Sequence, residues 1–190
     1  SGIDTKTLVF EDLDSTFVDG RNILFLETND QGFVSNVTSI LNSFISEEQE
    51  IVLYTTNKNK AFEGTNISNT FLSNLKFQYA STNKVIDNNV DQDFINEFMV
   101  LYKFYPNKYS IRAYDIIYDL LLRYSNGDIN DYENHENQTE YLENKFKYYR
   151  TSTGSLDNIS VYFLKHENLN VNQINNWFEI HHLFMLLLCL

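Results

Sequence analysis

The stretch "NILFLETNDQGFVSNVTSILNSFISEEQEIVLYTTN", residues 22–57, decides the fold. It opens on a short apolar run, "NILFLE", with the composition of a buried strand. Thr28, Asn29, Asp30 and Gln31 follow, with the polar chemistry of a turn and a helix N-cap. Phe33, Val37, Ile40, Leu41 and Phe44 then recur at helical spacing. "EIVLYTTN", residues 50–57, is a second buried strand, rich in β-branched and aromatic residues. Strand, helix and strand of these lengths make a β-α-β unit with a right-handed parallel crossover.

Beyond this unit, a polar segment with Gly64 precedes "FLSNL" and a third strand-like run, "KFQYAS", residues 76–81. The pattern then becomes helical. Residues 93–106 carry Phe94, Ile95, Phe98, Leu101 and Tyr102 at a period of 3.6, and Pro106 stops the run. Residues 109–127 form a second helix, apolar nearly all round and closed by Asn126-Gly127. Such a helix is expected to be buried in something large. Residues 128–143 hold six acids and no Lys or Arg, the pattern of a solvated loop. "NKFKYYRT" (144–151) and "ISVYFLKH" (159–166) read as two strands of a hairpin around Gly154.

Composition narrows the function classes. Hydrophobic residues make up 43% of the 190, enough for a substantial core, and 15 Phe and 13 Tyr make that core aromatic. A formal net charge of −12 argues against binding nucleic acid or anionic lipid, because phosphates are met by Lys and Arg. The single Cys, Cys189, excludes an internal disulfide and a Cys-based zinc site. No cleavable signal peptide is visible, and the start reads as that of a trimmed or mature fragment. The apolar end of the tail, "HHLFMLLLCL" (181–190), is far below the roughly 20 residues that span a bilayer.

Three groups of residues carry candidate chemistry. Asp12, Asp14 and Thr16 spell D-x-D-x-T, as in haloacid-dehalogenase-type phosphatases, where the first Asp is the nucleophile and the second the general acid. Glu11 occupies the last buried position expected of the strand before such a motif. The acids needed later for Mg²⁺, Asp87, Asp91 and Asp93, sit at a helix start, where Asp caps the helix and complements its dipole. Arg112, Asp115, Asp119 and Arg123 share one stripe of the second helix, either as a ligand-binding cluster or as a self-paired ladder; the ladder is the simpler reading. Glu133, His135 and Glu136 have the letters of a weak metal site, but their acidic context reads as solvated loop.

The runs at 22–43 and 51–81, together with "FINEFMVLYKFYPNKYSIRAYDIIYDLLLRYSNG" (94–127) and "TEYLENKFKYYRTSTGSLDNISVYFLKHENLNV" (139–171), resemble the C-terminal part of periplasmic-binding-protein-like domains of type I, the Leu/Ile/Val-binding fold. The resemblance points to the Bacteroidetes group in which this domain follows LysM peptidoglycan-binding repeats. "YPNKYSIRAYDIIYDLLLR" is its most telling piece. The resemblance implies an α/β fold, a three-layer parallel-sheet lobe of a type I periplasmic binding protein with the first lobe incomplete or missing. Residues 1–21 would be a leading acidic connection and 22–171 the binding-protein-like domain, with 22–81 its second-lobe β-α-β part, 93–126 two packing helices and 144–171 terminal strands. Residues 172–190 would be an apolar tail of separate origin, as a truncated or frameshifted gene would leave.

Ligands of open α/β sheets bind outside the carboxyl ends of the strands. That rule nominates Glu27, Thr28, Thr55, Thr56, Tyr79 and Ser81 as ligand-binding residues, although Thr and Ser also cap helices without any ligand. The expectation is therefore a non-enzymatic, solute-binding-protein-like domain of the cell envelope or periplasm. No cofactor, metal, nucleic acid or membrane span is expected. The partner would be a small molecule, an envelope protein, or a second copy through apolar surface left by the missing lobe. The rival is a Mg²⁺-dependent aspartyl phosphatase using Asp12 and Asp14. A receiver-like signalling domain is a third reading, which lacks the expected Lys at the end of its last strand.

Overall fold

A computed structural model describes residues 16–85, 92–125 and 138–175. The chain divides into two compact units, residues 1–80 with 163–190 and residues 81–162. Asp12, Asp14, Asp87, Asp91, Glu133, His135, Glu136 and residues 176–190 of the apolar tail lie outside the described residues; the tail expected from residue 172 instead begins within the fold, with Asn172 and Gln173 in a strand and Ile174 buried.

The first unit is built on the expected β-α-β order. β1 (Gly20–Phe25) runs parallel to β2 (Gln49–Thr55), in register from Gly20 opposite Gln49 to Phe25 opposite Tyr54. Helix α1 (Gln31–Ser43) connects them and starts where the sequence predicts: the Asp30 carboxylate accepts from the Phe33 amide at 3.0 Å. α1 buries Val34, Val37, Thr38 and Leu41, a stripe at spacings of 3, 1 and 3. A short 3₁₀ turn (Lys60–Phe62) and α2 (Asn69–Asn74), capped by Ser68, lead to β3 (Gln78–Ser81). β3 is parallel to β2, with Tyr54 opposite Gln78 and Thr55 opposite Tyr79. Every residue of β2 from Ile51 to Thr55 is buried, so both faces of this strand are covered, as a parallel sheet requires.

The sheet is completed from the far end of the chain. Its order is β1-β2-β3-β8-β9, with β8 (Tyr162–Glu167) beside β3 and β9 (Asn170–Gln173) folded back antiparallel on β8. Asn168 and Leu169 turn between them at φ 52° and 64°, the two left-handed positions of a tight hairpin. The fold is thus mixed α/β, with a parallel half and an antiparallel half in one sheet.

The second unit holds α3 (Gln92–Tyr102), α4 (Lys108–Ser125) and two small hairpins. β4 (Thr139–Glu140) pairs with β5 (Lys145–Phe146), and β6 (Tyr148–Arg150) pairs with β7 (Leu156–Asn158) around Gly154 at φ 88°. The turn at Gly154 is where the sequence puts it, but its second strand is not. "ISVYFLKH" was expected to close that hairpin; instead Leu156–Asn158 does so, and Tyr162–Glu167 joins the large sheet. Tyr162, Phe163 and Leu164 are all buried, and a run that apolar needs cover on both faces. Among the described residues, no helix is long and apolar enough to cross a membrane.

Candidate functional site

Four of the six nominated residues meet at the carboxyl ends of β1 and β2. Glu27 is the organiser. Its Oε1 accepts from the Thr56 amide at 2.5 Å and from the Thr55 hydroxyl at 3.3 Å, tying the two strand ends together. The Thr28 hydroxyl accepts from the Asp30 amide at 3.1 Å, one turn before α1 begins. Asn59 closes the loop opposite: its amide donates to the Thr28 carbonyl and to Asn29 Oδ1, both at 2.8 Å, while its own oxygen caps the 3₁₀ turn through the Ala61 amide at 2.8 Å. Glu27, Thr56, Asn57 and Asn29 are exposed on this rim, whereas Thr55 is buried.

Tyr79, the fifth nominated residue, is buried in β3 beside this rim. Burial, and then the charge of Glu63, push its hydroxyl up to about 12, so it stays protonated. The Lys58 ammonium lies 5.2 Å over its ring and pairs with Glu63 at 2.8 Å. Ser81, the sixth, falls in the second unit. Its hydroxyl accepts from the Asn83 amide at 3.1 Å and donates to the Asn83 carbonyl at 2.8 Å, a local turn contact.

Two residues belong with this group that strand-end reasoning did not nominate. Lys58 places its ammonium over the Tyr79 ring. His166 is buried in β8, with its ring 5.5 Å from Phe77 and 6.1 Å from Tyr79. Its Nε2 is buried without a hydrogen-bond partner among the described residues. Burial, and then the charge of Lys58, push its pKa down to about 4, so the imidazole is neutral at physiological pH. The signal for His166 is in the sequence: Tyr162, Leu164 and His166 alternate along one strand face, and the first two are buried.

The charged stripe of α4 is resolved differently from either sequence reading. Asp115 and Asp119 are fully buried and Arg123 nearly so, while Arg112 is exposed. Asp115 accepts from the amides of Leu142, Glu143 and Asn144 at 3.2, 2.9 and 2.9 Å, and from the Asn144 side chain at 2.9 Å. Asp119 takes Arg123 Nε at 2.9 Å, the Thr139 hydroxyl at 2.5 Å and the phenols of Tyr141 and Tyr148 at 2.9 and 3.3 Å. Arg123 adds a hydrogen bond to Thr139 at 3.0 Å and lies 5.1 Å over the Tyr148 ring. Only the Asp119–Arg123 step is a ladder. The rest is an anchor that fastens α4 to the β4–β5 hairpin, with its carboxylate oxygens already engaged.

A shallow depression on α1, lined by Phe33, Asn36, Ser39 and Ile40, includes none of the six nominated residues. Among the described residues, no three His, Cys, Asp or Glu side chains gather as a metal-binding group. Chemically, the strand-end rim offers the exposed Glu27 carboxylate and the exposed amide side chains of Asn29 and Asn57. It is equipped to hydrogen-bond a small polar molecule. No known protein family, curated protein or solved structure matches this chain.

Proposed function

We infer that the chain is a non-enzymatic domain of the solute-binding-protein kind, working in the cell envelope as a ligand-binding or scaffolding module. On this reading the parallel strands belong to one three-layer lobe of a type I periplasmic binding protein. The observation that carries it is the strand-end rim: Glu27 bridging Thr55 and Thr56, with Thr28 and Asn59 closing the loop beside it. Open α/β sheets take their ligands at this edge, and the groups here suit a small zwitterion or a polar fragment of cell wall.

The test is a thermal-shift and calorimetric screen with free amino acids and soluble peptidoglycan fragments. One of these classes should raise the melting temperature of the wild-type chain. Glu27→Gln should weaken that binding at least about tenfold. Equal shifts in wild type and variant would move the ligand elsewhere, and no shift with any member would remove the ligand-binding reading.

A further inference from the structure

Helix α4 is inside out. Its buried face is the one with Asp115, Asp119 and Arg123, and its outward face is apolar. This orientation is not free to reverse. Rotating α4 would strip Asp115 and Asp119 of the seven hydrogen bonds they accept from outside the helix and leave backbone amides of the β4–β5 turn unpaired. The carboxylates therefore dictate that the apolar side faces away from them.

That outward side has an ordered pattern. Tyr114, Ile117, Leu121 and Tyr124 are 41%, 56%, 60% and 71% exposed. Their spacings are 3, 4 and 3, the seam of a helix-to-helix contact. The series Tyr-Ile-Leu-Tyr is close to a palindrome in both spacing and size. About a two-fold axis at residue 119, an antiparallel copy of the helix would set Tyr114 against the second copy's Tyr124, and Ile117 against its Leu121. Contacts of this kind are what an isologous interface demands.

Charge and area favour the same occupant. The seam has no Asp, Glu, Lys or Arg, so two copies of a chain with net charge −12 can meet there without bringing like charges together. Of the twenty exposed large hydrophobic residues among those described, thirteen lie on α3, α4 and the link between them. Partly exposed side chains of this kind present on the order of 1,000 Å² in total, against roughly 800 Å² per partner in a standard interface and only a few hundred in the apolar patches monomers tolerate.

We propose that two copies of this chain pair through α4, antiparallel, along the Tyr114–Ile117–Leu121–Tyr124 seam. The proposal is independent of any ligand at the strand-end rim.

Light scattering and sedimentation on the full chain test it. The wild type should weigh twice the 22.4 kDa of one chain. Ile117→Lys and Leu121→Glu should each raise the dissociation constant by about a hundredfold or more and run as monomers. Mixing the two variants should restore a heterodimer, because Lys at 117 of one chain then faces Glu at 121 of the other. A wild type that stays monomeric at high concentration overturns the proposal, as does a failure of the mixture to pair. Circular dichroism reports whether either variant has lost its fold. In that event, Tyr114→Cys with Tyr124→Cys in a Cys189→Ser background should oxidise to a covalent dimer, and its absence overturns the pairing equally.

Discussion

His166 shows how one side chain can couple stability to acidity. The ring is packed against Phe77 and Tyr79, its Nε2 has no hydrogen-bond partner among the described residues, and the facing charges are Lys58 with its partner Glu63, beside Lys165 and Glu167 on its own strand. Protonation would bury a cation near another cation. The folded-state pKa of about 4 lies below the ordinary 6.5, so the fold favours the neutral ring. As pH falls below 6.5 the unfolded chain takes up the proton first. The stability contributed by the neutral ring is lost progressively down to about pH 4. His166→Phe keeps the ring packing and removes the titration. Melting curves of wild type and variant should therefore diverge between pH 6.5 and 4, with the wild type falling faster. Parallel curves would show that carboxylates alone set the acid response. The alternation of Tyr162, Leu164 and His166 made the burial of this histidine legible. Its neutrality was not, because that depends first on burial against Phe77 and Tyr79 and then on the charge of Lys58, all on other parts of the chain.

Helix α4 is the element where sequence pattern and structure part most sharply. The periodicity predicted a helix at 109–127, and a helix forms at Lys108–Ser125. It also predicted burial nearly all round. Instead the charged stripe is buried and the seam of Ile117 and Leu121 is exposed. Hydrophobic pattern alone ranks the apolar face as the inner one. What reverses the ranking is the β4–β5 turn, whose amides need acceptors and find them on Asp115. Asp115→Ala should leave those buried amides unpaired and cost about 3 kcal/mol, whereas Asp115→Asn, which keeps one acceptor oxygen, should cost less. Denaturant titration of both variants measures the difference. Equal, small losses would mean that water satisfies the turn as well as Asp115 does. The same reasoning explains β8. Its composition declared a strand, but its neighbour is β3, and no local turn signal encodes that pairing.

At the scale of the whole molecule, the first unit is discontinuous. Residues 16–80 provide β1, β2, α1, α2 and most of β3, and residues 163–175 return to supply β9 and nearly all of β8. The return is secured by a backbone hydrogen bond from the His166 amide to the Phe77 carbonyl at 2.8 Å, and by the Leu169 amide donating to the Ser73 hydroxyl at 2.9 Å, 96 positions away. A chain ending at residue 162 would keep the β-α-β unit but leave β3 as an open edge, with the fully buried Phe77 stripped of His166. Such a truncation should bind hydrophobic dye and aggregate, while the full chain should not. A soluble truncation with native circular dichroism would show the first 80 residues to be self-sufficient. By itself the sequence determined β1, α1, β2 and the positions of α3 and α4: apolar runs, helical stripes and the Asp30 cap are short-range signals, each set by sterics and hydrogen bonding within one or two turns of chain, although α3 stops at Tyr102, with Lys103 at φ 64°, and not at Pro106 as the sequence predicts. Only the tertiary structure decided which strand lies beside β3, which face of α4 turns inward, and that Lys58 and His166 share surroundings with Tyr79. Those outcomes rest on satisfying buried amides and covering both faces of a sheet with partners distant in sequence, and a local pattern carries no information about partners it does not touch.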